Sequence, residues 1–269
     1  MPNHKQKNSI LKKQFLIPAA AVAVALLLYF GLSNKPPKVT AFDEKRDLLL
    51  DSLDLPGEER MHTLQNSLKN TADTAVLGEL SHLWYHAGYP DIAADYERKI
   101  ADLYPSVDGY IRAGRTFFEA LPTDTSQTMQ VNLVYGARYC YEEALKLDSN
   151  SLDASIGLAQ VYVQGTNEPM KGIMMLRELD ASHPGDPRVN MELGRFSVMS
   201  GQYDRAIERF NSVLEKDSLH LQARFLLAES YLSTGDTLSA VKTLEKAIGL
   251  TGDQQMDAQI RQYIDTLTK

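Results

Sequence analysis

The residues of this chain that could do chemistry are few and scattered. His82 and His86 stand four apart, which places both imidazoles on one face of a helix and would suit zinc if a thiolate or carboxylate joined them. No flanking glutamate supplies the metalloprotease pattern, so the pair reads as exposed surface and no metal is expected. The single cysteine, Cys140, lies between Tyr139 and Tyr141 and excludes an intrachain disulfide or a multi-cysteine metal site. A reactive thiol wants a cation at helical spacing; Cys140 reads instead as a helix residue at the edge of a core. Glu142 and Glu143 are paired carboxylates on a solvated helix face. There is no glycine-rich phosphate loop, HExxH, GxSxG or calcium loop, so no cofactor and no catalytic activity are expected.

Charge narrows the partners. The 269 residues carry 28 basic and 35 acidic side chains, a formal charge of −7. Six lysines and no acid fall in residues 1–40, leaving 22 basic residues against all 35 acids in the remainder. A nucleic-acid surface would need clustered Lys and Arg, so none is expected.

The N-terminal segment has a different solvent in view. The 21 residues between Lys13 and Lys35 carry no charge, and residues 15–33 are nearly all apolar. About 20 helical residues span the hydrocarbon core of a bilayer. The run exceeds the 7–15 residues of a secretory core and reads as a signal anchor; Gly31-Leu32-Ser33 leaves a cleaved signal peptide as the alternative. Four lysines before the segment against two after it place the N-terminus in the cytoplasm and export the rest of the chain. Residues 1–14 are then a basic tail, residues 15–33 a transmembrane helix, and residues 34–41 a Pro-stiffened spacer.

Beyond residue 41 apolar residues recur at three- and four-residue spacing, the period of amphipathic helices. Gly201, Ala206 and Phe210 align without gaps on Gly235, Ala240 and Leu244, an offset of 34 residues. Leu193-Gly194 and Leu227-Ala228 precede them at matching distance. Small residues continue the register on first helices (Ser81, Gly114, Ala159, Gly194, Ala228) and on second helices (Ala93, Ala137, Gly172, Ala206, Ala240). Helices cross closely only where side chains are small. Trp84, Phe117, Tyr162 and Tyr231 follow four of the first set by three and fill the adjoining layer; Ser197, three after Gly194, breaks the pattern.

This pattern resembles the tetratricopeptide repeat, a 34-residue helix–turn–helix. The resemblance implies an all-α solenoid of about five units over residues 74–252, with capping helices at 42–73 and 253–269. Asp253 is positioned to N-cap the last one, whose apolar stripe is Met256, Ile260, Tyr263, Ile264 and Leu267. Residues 121–132 are an insertion inside the second unit, polar enough to read as a surface loop.

Such arrays resemble one another in lining a concave groove with the first helices. Carried onto this chain, the groove positions are Tyr85, Ile111, Arg115, Phe118, Ile156, Gln160, Val163, Arg188, Met191, Arg195, Val198, Met199, Phe225, Glu229 and Leu232. His82, His86 and Gln164 interleave with them. The lysine-and-asparagine clamp of chaperone-binding relatives is absent there. The implied work is that of a scaffold or adaptor in the bacterial inner membrane. Its repeats would face the periplasm and bind protein segments during assembly of an envelope or secretion complex. An accessory subunit of a membrane enzyme is the alternative.

Overall fold

The structure is a computed structural model that describes residues 40–52, 57–68 and 73–269. The expected transmembrane segment at residues 15–33, the basic tail and all of the spacer but its last two residues lie outside these. Among the described residues no helix is long and apolar enough to cross a membrane.

The described residues fall into two units, divided between residues 53 and 54. The first holds one described helix, α1 (Thr40–Ser52), on which Arg46 pairs with Asp43 at 2.5 Å and with Asp47 at 2.9 Å. The second is a solenoid. It opens with α2 (Glu58–Leu68), which buries Met61 and Leu64 and reaches the next helix through the two-pronged pair of Arg60 with Glu79 at 2.7 and 2.9 Å.

Successive helix pairs follow: α3 (Thr74–His86) with α4 (Pro90–Leu103), α5 (Val107–Glu119) with α6 (Gln127–Leu147), and α7 (Leu152–Gly165) with α8 (Pro169–Ser182). Then come α9 (Pro187–Met199) with α10 (Tyr203–Lys216) and α11 (Leu221–Ser233) with α12 (Thr237–Glu245), before the terminal helix α13 (Gln254–Leu267). We number the five pairs units 1 to 5. All regular elements among the described residues are helical, as the spacing of apolar residues predicts.

Local chemistry starts each helix. Ser106, Ser151, Asp186 and Asp253 accept backbone N–H groups of the first turn, and Pro90, Pro169 and Pro187 stand where a missing N–H costs little. Gly201 and Gly235 make the equivalent tight turn in units 4 and 5 with φ of +71° and +83°, a conformation that side chains disfavour.

The small residues of the repeat register sit at the crossings, all buried. A methyl group added at Gly194 would lie 2.5 Å from the Phe210 ring, and one at Gly172 would lie 2.4 Å from the Ala159 carbonyl oxygen. The Tyr141 ring is held between two helices: a methyl at Gly114 would come within 3.1 Å of it, one at Gly157 within 2.3 Å. At the C-terminal end Ile260 of α13 closes a cluster with Ala228, Leu244 and Ala247, while Met256 and Tyr263 of the expected stripe stay exposed.

The insertion departs from expectation. Residues 121–132 are not one loop: a short 3-10 turn (Leu121–Thr123) leads into α6, which begins at Gln127 and is 21 residues long. Asp124 accepts the Ser126 N–H, Ser126 caps Met129, and the Gln130 amide donates to the carbonyls of Leu121 and Asp124. These local bonds, with burial of Met129 and Leu133, let the helix begin two turns early.

Candidate functional site

The fifteen positions expected to line the groove divide by environment. Ile111, Ile156 and Met191 are core residues, at most 9% exposed; Ile156 packs with Ala159 and Val189, and Met191 with Phe210 and Leu227. Val198 and Phe225 pack partly against the same kind of cluster. Phe118, Gln160, Val163 and Leu232 are half-buried, and Glu229 is exposed. Tyr85 and Met199 stand out at 49% and 61% exposure. Packing at the fifth residue of a first helix therefore absorbs the aliphatic side chains, and the accessible apolar surface shifts toward the helix ends.

The three arginines differ more than their spacing suggests. Arg188 is engaged: its guanidinium reaches Asp153 of the preceding unit at 2.9 Å and Asp186 at 3.0 Å. Hydrogen bonding to Arg188 holds the Asp186 carboxyl below the usual carboxylate range. Arg195 has a loose neighbour, with its Nε 3.6 Å from Glu192 and no hydrogen-bond acceptor for that buried nitrogen. Arg115 is exposed and has no ion pair among the described residues. Its nearest marked effect is on Tyr141, whose phenol is pushed up by burial while the Arg115 charge works the other way.

His82 and His86 are exposed with ring centroids 4.2 Å apart. Among the described residues no group of three His, Cys, Asp or Glu is arranged to hold a metal ion. Cys140 is fully buried rather than at the core's edge, and burial pushes its thiol up, away from the reactive thiolate.

Reasoning from sequence missed a row, polar in units 2 to 5, where the repeat pattern has its first aromatic, three positions before the leucine or its equivalent. Leu77, Tyr110, Ser155, Asn190 and Arg224 occupy that slot in units 1 to 5. In unit 2 the Tyr110 hydroxyl donates to Asp102, 3.2 Å away, and Tyr139 donates to the same oxygen at 3.0 Å. Arg98 links Asp102 at 2.6 Å to the buried Asp95 at 2.8 Å, and Lys99 completes Asp95 at 2.8 Å. Burial works against the Arg98 charge, but its acidic neighbours outweigh it and hold the guanidinium above its ordinary value. Burial and Asp102 push the Tyr110 phenol up to about 12. In unit 4 Arg209 donates to Asn190 at 2.8 Å and pairs with Asp180 at 2.8 Å. The signal that could have found these sites was the departure from the apolar pattern at a fixed repeat position.

Comparison with known proteins agrees with this architecture. Residues 197–260 match the family model described as tetratricopeptide repeat. Superkiller protein 3 of Schizosaccharomyces pombe is 21% identical over 247 residues, covering 90% of this chain; the chain spans 16% of that relative's length. Among solved structures, a thermophilic tetratricopeptide-repeat protein of Thermus thermophilus superposes with a TM-score of 0.53 at 17% identity, over 73% of this chain and 99% of that one. A tetratricopeptide repeat protein from Parabacteroides merdae gives 0.55 at 14% identity, over 97% of this chain and 98% of that one. At these identities the structures speak for the fold alone. Taken with the helix pairs and their small-residue crossings, the matches support a tetratricopeptide-repeat solenoid.

Proposed function

We propose that this chain is a non-catalytic adaptor whose first-helix face receives an acidic segment of a partner protein. Residues 15–33 would tether it to a bacterial inner membrane, with the repeats in the periplasm and the partner belonging to an envelope or secretion complex. Arg115 carries the reading. It is an exposed guanidinium without a carboxylate among the described residues; Tyr85 and Met199 on the first helices of units 1 and 4 are also exposed, and Phe118 and Val163 are half-buried. Packing demands no charge there, whereas an arginine pairs bidentately with a carboxylate while its stem covers apolar surface. Arg195, half-buried and only loosely paired with Glu192 at 3.6 Å, adds a second cation two units away. Apolar pockets with a few cations suit an extended segment or an amphipathic helix.

A photo-crosslinking residue at Tyr85, Phe118 or Met199 should capture a defined partner in cells, and one at Glu178 on α8 should not. In the Arg115→Ala/Arg195→Ala background the crosslink should fall at least about 30-fold, equivalent to a buried contact of about 2 kcal/mol. Crosslinking that persists at full yield in that background would move the binding surface elsewhere. Topology has its own test: a reporter active only in the cytoplasm, fused after Lys269, should be silent.

A further inference from the structure

On the second-helix face near the C-terminus, α10, α11 and α12 enclose a cleft of about 420 Å³. Its charged walls are Arg224, Lys242 and Lys246, and no carboxylate lines it. That is a local excess of three cations in a chain of net charge −7. Arg224 is 7% exposed; one terminal nitrogen donates to the Ser218 carbonyl, and its Nε is buried without an acceptor. Lys242 and Lys246, one helical turn apart at the end of α12, form no ion pair among the described residues. The nearby Asp236 caps α12 by accepting the Ser239 N–H at 3.0 Å; its carboxyl is held low by Ser239 first and by the Lys242 charge only last.

The equivalent slots give this cleft its meaning. Tyr110 in unit 2 meets Asp102, and in unit 4 Arg209 beside Asn190 meets Asp180. In unit 5 a guanidinium is buried at the same position with two lysines beside it and no anion. Burying a charge without a counter-ion is costly, so such a site gains when an anion enters.

The donor set selects among anions. A guanidinium fork and two ammonium groups match an anion with several oxygens and nearly two charges better than a carboxylate with one. Tyr231 and Ser239, which also line the cleft, are residues with neutral hydroxyl donors. The volume exceeds what a bare phosphate fills and falls within the range of about 300–1,000 Å³ typical of ligand sites. Leu214 and Leu227 offer an apolar wall to the carbon stem of an ester. We propose that this cleft binds a phosphate monoester, carried either on a phosphorylated serine of a partner or on a small phosphorylated molecule.

Calorimetric titration of the full chain at fixed ionic strength tests this. The probes are glycerol phosphate, a phosphoserine peptide with neutral flanks, and the same peptide with glutamate in place of phosphoserine. At least one phosphate ester should bind. Lys242→Gln/Lys246→Gln, a surface change that leaves the core intact, should weaken it about tenfold or more, as expected for losing charged hydrogen bonds. Lys146→Gln in unit 2 should leave the affinity unchanged. Preference for the phosphopeptide assigns the source to a partner; preference for glycerol phosphate assigns it to a small molecule. Absence of binding by both esters, equal binding by the double variant, or a glutamate peptide that binds as well as the phosphopeptide would each overturn the assignment.

Discussion

Unit 2 places Tyr110 four residues before its helix crossing at Gly114, and unit 5 places Arg224 at the same point of the repeat, four before Ala228. Around Tyr110 the acids of α4 answer the cations of α4, and two tyrosine hydroxyls complete Asp102. Arg224 shares its cleft with two lysines, and no carboxylate lines the space. One backbone geometry thus supports a closed polar network at one end and an open cationic cleft at the other. The difference teaches that crossing residues hold the solenoid together, while the slot beside them is free to carry either internal order or a ligand.

The largest expected effect lies in the network that Tyr110 joins, on α4 of unit 1. Asp95→Ala should destabilise the fold by about 3–5 kcal/mol, since it removes a buried carboxylate shared by Arg98 and Lys99 and leaves Arg98 only Asp102. Chemical denaturation would show it, and a loss near that of a surface substitution would mean the network is not holding the unit. Unit 5 should respond with the opposite sign. Arg224→Met replaces an uncompensated buried cation with an apolar chain of similar length, and should leave stability unchanged or raise it by up to about 1–4 kcal/mol. A marked loss would show that the cation is already satisfied, and the comparison would fail.

The tight glycine contacts of the intervening units 3 and 4 should respond alike. Gly157→Ala drives a methyl into the Tyr141 ring and Gly194→Ala one into the Phe210 ring, so each should cost about 1–3 kcal/mol. A large disparity between the two melting points would place the difference in the apolar layers instead. The smallest effect is a pH slope. An unfolded tyrosine loses its proton near pH 10, whereas Tyr110 holds its proton to about 12. Between those values the folded state binds more protons, so stability declines as pH rises. Tyr110→Phe should make that decline shallower, and hydrogen exchange should confine the change to α5 and its neighbours rather than α11 and α12.

Much of the architecture was legible in the residues. The offset of 34 between Gly201 and Gly235 predicts the turn that both make, and the small residues from Ser81 to Ala240 predict the crossings. The groove was read less completely. Its positions follow from the resemblance, but the burial of Ile111, Ile156 and Met191 and the use of Arg188 within the fold depend on neighbouring units. The insertion was misread because its helix is started by Ser126 and Gln130 through local bonds, whereas a threonine-rich stretch suggests a loop. The slot residues were passed over because a pattern match rewards agreement, and these positions carry information by disagreeing.

By itself the sequence determined the helical period, the turns and the spacing of the crossings. Each depends on residues within about one repeat of one another, where chain geometry leaves few alternatives. Only the tertiary structure decided which charges are answered. Arg188 finds Asp153 across 35 residues and Tyr139 finds Asp102 across 37, whereas Arg224 meets no carboxylate from any neighbouring helix among the described residues. Coulomb attraction and desolvation act through space at a few ångströms, so the fate of a buried charge depends on the helices stacked beside it.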